Sequence, residues 1–160
     1  MDQLQTLQQW HQGIRISHAA HFKAADTYEQ RNLWLGVPVV VLSAVTGTAV
    51  FTASGTTAVA ERVVVGLFSV AAAVLASLQT FLRYAELAQK HKAAAIKYGA
   101  LRRELEEALA TYSAEHPFPA DFMHDIRQRW DALDEESPVV AKKIYDPVEA
   151  EYRKKAAKNA

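Results

Sequence analysis

The sequence contains no cysteine. That absence excludes disulfide frameworks, thiolate zinc sites and cysteine nucleophiles together. It also has no excess of either charge: Lys and Arg total 18, as do Asp and Glu. A neutral balance argues neither for nor against a nucleic-acid partner, and direct nucleic-acid binding is not expected. The most informative absence is local. From Asn32 to Ala60 there is no ionisable side chain; Glu61 and Arg62 interrupt, and Val63 to Leu82 is again free of charge. The slightly negative mean hydropathy of -0.11 has the look of a soluble protein. It averages over a chain whose apolar residues are concentrated in the middle.

The 160 residues are enough for one domain and not much more. A helix needs about 20 mostly apolar residues to cross the hydrocarbon core of a bilayer, and each uncharged stretch reaches that length. "VVVGLFSVAAAVLASLQTFL" (63–82) is apolar on every side and offers water no polar face. A soluble domain of this size could bury one such helix, but too little chain remains to wrap two. The sequence therefore predicts a transmembrane helical hairpin. A secretory signal is a poor alternative, because the first thirty residues are polar and amphipathic and the apolar run is too long and too far in.

The flanks predict orientation. Lys23, Arg31, Arg83, Lys90, Lys92 and Lys97 lie near one membrane face, whereas the connection "TASGTTAVAER" (52–62) offers only Arg62, beside Glu61. Basic residues are retained in the cytoplasm, so both termini are expected there and the connection becomes a tight external turn. Tyr28, Trp34 and Tyr84 fall at the inner boundary, where amphipathic aromatics settle.

The rest of the chain repeats every three and four residues. Tyr84, His91, Tyr98, Leu105 and Tyr112 recur at every seventh position, with Leu87, Ala94, Leu101 and Ala108 between them. Leu4, Leu7, His11, Ile14, His18, His21, Ala25 and Tyr28 show the same spacing in the N-terminal segment. Each pattern marks a helix with one packed seam, and the two run in opposite directions relative to the membrane. Nothing between Val63 and Tyr112 breaks a helix, so the second span is expected to continue into the cytoplasm as one long helix, ended by the prolines of "HPFPADF" (116–122). A return helix from about Ala120 carries Phe122, Ile126, Trp130 and Leu133 on one face. "SPVV" and "DPVE" place Ser or Asp before Pro and predict short helices starting near 138 and 147.

The expected fold is thus an all-α membrane protein: a two-span hairpin with a cytoplasmic helical bundle, coiled-coil-like in its seam spacing. Its parts are an N-terminal amphipathic helix (1–31), a first span (32–53), an external turn (54–61), a second span (62–82), its cytoplasmic extension (83–114), a helical return (119–146) and a basic tail (147–160).

"IRISHAAHF", "RNLWLGVPVVVLSAVTGTAVF", "AELAQKHKAAAIKYGALRRELE" and "WDALDEESPVVAKKIY" occur in that order. On these segments the chain resembles the SLATT family, two-transmembrane effectors associated with SMODS nucleotidyltransferases and SLOG sensor domains in bacterial conflict systems. The resemblance runs from about residue 10 to 146. It implies an effector in the bacterial inner membrane, forming pores or disrupting the membrane in anti-phage defence once a nucleotide signal or infection activates it. It also implies a sensor or nucleotidyltransferase encoded nearby as partner. A fused enzyme or sensor domain is not expected, nor is a cofactor, and there is no glycine-rich phosphate loop.

Small residues inside the spans have a physical reading. Helices associate in lipid by close packing and hydrogen bonding, so small residues mark contact faces. Ser43 and Gly47 lie one turn apart, as do Ala44 and Thr48. Ser69, Ala73 and Ser77 form one stripe on the second span, and Ala72, Ala76 and Thr80 another. These faces can simply hold the two spans together, or they can let several hairpins form a ring. In a ring the lumen is expected along Ser69, Ser77, Gln79 and Thr80, or along Ser43, Thr46 and Thr48. One hairpin encloses nothing, so a channel requires a homo-oligomer. Gln79 must face a helix, a lumen or the boundary, because an amide left unpaired in lipid costs several kcal/mol or so.

His18 and His21 share a helical face and His91 lies on the facing seam, so the three could form a metal or pH-sensitive cluster. Polar seam residues satisfied by neighbours are the simpler reading. No HExxH and no catalytic carboxylate pair accompany them, and no arrangement for nucleophilic catalysis is present; an enzyme is not expected. "RRELEE" (102–107) reads as a solvated face with i,i+4 pairs, and Arg153 to Lys158 as a solvated tail, with contact to anionic lipid as the lesser alternative. The opposing functional class is a non-conducting anchor that clusters a soluble partner through the region of Trp130 and Tyr145.

Overall fold

A computed structural model describes residues 3–52, 59–113, 118–119 and 121–159. Of the expected external turn (54–61), residues 54–58 lie outside the described residues, and 59–61 open a helix instead of belonging to the turn; 116, 117 and 120 of the proline stretch also lie outside the described residues. The described chain is all-α: α1 (Gln3–Thr52), α2 (Val59–Leu82), α3 (Tyr84–Thr111), α4 (Phe122–Glu136) and α5 (Lys142–Asn159). It divides into two compact units, Met1–Asp26 with Ala88–Ala160, and Thr27–Leu87.

The first unit is a helical bundle. Leu7, Ile14, Ala94, Tyr98, Leu101, Leu105 and Ile126 form its buried core, with Trp10, Phe122, Met123 and Leu133 packed against it. Apart from Ile126, which lies on the predicted apolar face of the return helix, the core residues are seam positions of the three-and-four pattern. α1 and α3 run antiparallel: His11 Nε2 lies 3.1 Å from Glu106 Oε1, His18 lies against Gly99, and His21 meets His91. α4 is fixed to α3 by the Arg129 fork, whose two nitrogens donate to the two Glu104 oxygens at 2.8 and 2.6 Å. Such paired contacts set direction as well as distance. α5 buries Ile144 and receives the Arg15 guanidinium 5.5 Å from the centre of the Tyr152 ring.

The two Ser/Asp-Pro signals require correction. Pro138 does not start a helix. It disfavours helical backbone at the residue before it, and Ser137 accordingly takes φ -81, ψ 141 and caps the C-terminus of α4. α5 begins only at Lys142, where the Ile144 and Tyr145 amides both donate to the Ala141 carbonyl. Pro147 lies inside α5 rather than at a helix start.

The second unit is a helical hairpin of α1 from Thr27 with α2 and the first turn of α3. Leu35, Val39, Leu42 and Thr46 line the half-buried face of α1; Ala72, Leu75, Ala76 and Gln79 line that of α2. Alanines let the two backbones approach closely. Pro38 lies within α1 without ending it. Both helices are long and apolar enough to cross a membrane, and apart from the buried Ala72 most of the large apolar side chains of these stretches, among them Val40, Leu67 and Phe81, are exposed.

The expectation of one unbroken helix from Val63 to Tyr112 also needs correction. Arg83 separates α2 from α3 and has φ 47, the left-handed region. Hydrogen bonds continue on both sides, from the Arg83 amide to the Gln79 carbonyl at 3.3 Å and from the Leu87 amide to the Arg83 carbonyl at 3.1 Å. The interruption is one residue wide. Nothing in the residue type signals it, since neither Gly nor Pro is involved.

Candidate functional site

The hairpin separates the small residues of α2 into two faces. Ala72 is buried, and Ala76 and Gln79 are half-buried toward α1, whereas Ser69, Ala73, Ser77 and Thr80 are exposed together on a neighbouring face. The exposed hydroxyls are satisfied within their own helix. Ser69 donates to the Val65 carbonyl at 2.9 Å, Ser77 to Ala73 at 2.8 Å and Thr80 to Ala76 at 3.0 Å. Back-bonding of this kind lets a hydroxyl enter a low-dielectric medium without an outside partner. On α1, Thr48 donates to the Ala44 carbonyl at 2.9 Å, Ser43 is exposed, and among the described residues nothing lies within 4 Å of the space where a Cβ on Gly47 would stand. The Thr46 hydroxyl is buried and has no hydrogen-bond partner among the described residues.

Gln79 is engaged inside the hairpin. Its Nε2 donates to Asn32 Oδ1 at 3.3 Å, and a Cβ on Gly36 would stand 3.0 Å from the same nitrogen. One turn toward α3, Tyr28 and Tyr84 stack with centroids 5.9 Å apart. The absent side chain at Gly36 is what admits the amide between the helices.

Of the three histidines, the structure brings together two. His21 and His91 are 5% and 1% exposed, with their Nδ1 atoms 3.1 Å apart, so one ring donates and the other accepts. The His21 ring stacks on Tyr98 at 5.2 Å, and the Tyr98 hydroxyl donates to Asp134. Burial, then the neighbouring His91, pushes the His21 pKa down to about 4; burial also lowers that of His91. His18 does not join them. Its ring sits against Gly99, edge-on to Phe22 with centroids 5.0 Å apart. No group of three or more His, Asp or Glu side chains able to hold a metal occurs among the described residues.

Trp130 is half-buried in the bundle, edge-on to Trp10 with centroids 6.4 Å apart, and a Cβ on Gly13 would stand 2.9 Å from its ring. Tyr145 is half-buried, and burial raises its pKa. Sequence reasoning missed the contacts of Gly13, Gly36 and Gly99. A glycine in a helical stretch signals such an approach only once the facing side chain is known.

The chain matches the family described as SMODS and SLOG-associating 2TM effector domain family 4 over residues 4–158. It belongs to that SLATT family. No curated protein and no solved structure matches it. The SLATT domain is an effector linked to nucleotide-signalling anti-phage defence, and it is not an enzyme.

Proposed function

We propose that this SLATT chain spans the bacterial inner membrane twice, with both termini in the cytoplasm, and permeabilises it as a homo-oligomeric pore. One observation carries the reading: two helices of spanning length point their large apolar side chains outward, among them Trp34, Val40, Leu67, Val70 and Phe81. In water such a surface drives association or aggregation. In a bilayer it is the surface the solvent requires.

The pore face we assign is Ser69, Ala73, Ser77 and Thr80. It is exposed, small, and carries its polar groups already satisfied. Ala72, Ala76 and Gln79 serve instead to hold the hairpin. The Ser43, Gly47 and Thr48 side of α1 meets the neighbouring hairpin, and Thr46 supports the seam. α1 is one helix from Gln3 to Thr52, so a change in the bundle reaches the first span along a single element. A nucleotide-linked sensor supplies the trigger. The non-conducting anchor finds less support, because the Trp130 ring is used within the bundle.

The absence of cysteine makes topology directly measurable. Single Ser54→Cys and Ala160→Cys variants are expressed in bacteria and treated with a membrane-impermeant maleimide. We expect labelling at 54 from outside intact cells opened only at the outer membrane, and labelling at 160 only after lysis. Equal labelling of both positions from outside contradicts the two-span reading.

A further inference from the structure

The inner end of the hairpin holds a guanidinium that the hairpin itself does not use. Arg31 stands over the stacked tyrosine pair, its Cζ 5.7 Å from the centre of the Tyr28 ring and 5.8 Å from that of Tyr84. Both distances are within the range of cation–π attraction. With the rings 5.9 Å apart, the three groups form a near-equilateral triangle. The Arg31 side chain is half-buried, and among the described residues it forms no ion pair and no side-chain hydrogen bond. Ring faces hold the cation in place but take none of its five N–H donors.

The surrounding charges do not neutralise it. Arg83, at the start of the same layer, is ion-paired with Glu86. Glu29 is exposed and stands two residues before Arg31, a spacing that turns it to another side of the helix. On the other side of Arg31 the apolar surface begins at once. Trp34 is 80% exposed and, on the facing helix, Phe81 is 83% exposed. An oriented, unneutralised guanidinium bordering an outward-facing aromatic belt matches one chemistry in particular. It offers a planar fork for phosphate at the depth where phospholipid headgroups lie.

We propose that Arg31, propped by Tyr28 and Tyr84, binds the phosphate of an anionic phospholipid in the inner leaflet. The acyl chains of that lipid lie along the apolar surface beside Trp34 and Phe81. The site rests on the two-span reading, since only an inserted hairpin presents Arg31 to headgroups. A bound lipid there would clamp the α1 and α2 ends of the hairpin through the Tyr28–Tyr84 pair and make the hairpin responsive to leaflet composition.

Trp34, three residues from Arg31, is the reporter. The full chain is reconstituted into phosphatidylcholine bilayers containing either brominated phosphatidylglycerol or brominated phosphatidylcholine, and tryptophan quenching is measured. Subtracting a Trp34→Phe variant removes the contribution of Trp10 and Trp130. We expect phosphatidylglycerol to be favoured about fivefold over phosphatidylcholine, the equivalent of ~1 kcal/mol for one cation at an anionic surface. Arg31→Gln should bring the ratio to about one, while quenching by brominated phosphatidylcholine stays as in the parent, which shows that the hairpin remains inserted. Arg31→Lys should keep part of the preference, retaining charge without the fork. A preference that survives Arg31→Gln, or none in the parent, overturns the lipid site and leaves the two-span reading standing. Absence of Trp34 quenching by either lipid overturns both.

Discussion

Two imidazoles whose Nδ1 atoms lie 3.1 Å apart can share one proton on that axis but cannot each carry one without repulsion. His21 and His91 therefore stay neutral in the folded bundle. Tyr98 faces the pair from α3 and is itself tied to Asp134 of α4. Burial first, with the Asp134 hydrogen bond second, raises the Tyr98 pKa, so its phenol stays neutral as well. In the unfolded chain each histidine titrates near the ordinary 6.5, whereas folded His21 resists protonation down to about 4. Between those values the unfolded state binds the extra protons. Stability is thus complete above about pH 6.5 and declines as pH falls toward 4. Thermal melts of the full chain between pH 7.5 and 4.5 should show this slope, and His91→Phe, which removes one of the two groups and the charge repulsion on His21, should lessen it. An unchanged slope in the variant would assign the acid sensitivity elsewhere. At this scale the sequence was partly legible. The three-and-four spacing put His21 and His91 on facing seams, but spacing alone could not tell a pair from a triad. His18, one turn away, packs against Gly99, whose missing side chain makes room for it.

Helix boundaries turn on a few backbone angles that residue type specifies only weakly. The seven-residue seam from His91 to Leu105 was readable because burying one stripe of a helix imposes that period. Pro138 was misread because a proline restricts the residue before it as well as marking helix starts, and here the first effect ended α4. Arg83 had no signal at all. Its left-handed φ of 47 costs a non-glycine residue roughly 1–2 kcal/mol, offset only slightly by its exposed ion pair with Glu86. Glycine accepts that conformation freely, and a β-branched residue accepts it worst. Arg83→Gly should therefore leave the melting temperature in detergent unchanged or raise it, whereas Arg83→Val should destabilise by about 1 kcal/mol or more. Equal loss in both variants would mean that the Arg83 side chain, rather than its backbone, matters for stability.

For the whole molecule, the longest-range feature was the easiest to read. Two uncharged stretches of spanning length cannot both be wrapped by the rest of a 160-residue chain, and the structure leaves most of their large apolar side chains exposed. What the sequence could not separate were the two small-residue faces of α2, because alanine and serine serve equally for packing and for lining. The covered Ala72 and Ala76 and the open Ser69, Ser77 and Thr80 distinguish them. Gln79, an equal candidate for either role, bonds to Asn32. The open face is the part of the account that leads to function, and potassium efflux from liposomes containing the purified chain tests it most directly. The account predicts release that rises more steeply than linearly with the protein-to-lipid ratio, as an oligomer requires. It also predicts that Ser77→Leu combined with Thr80→Leu inserts equally well and releases nothing. Vesicles that retain potassium at every ratio, or that leak as fast with the leucine-lined face, would contradict it.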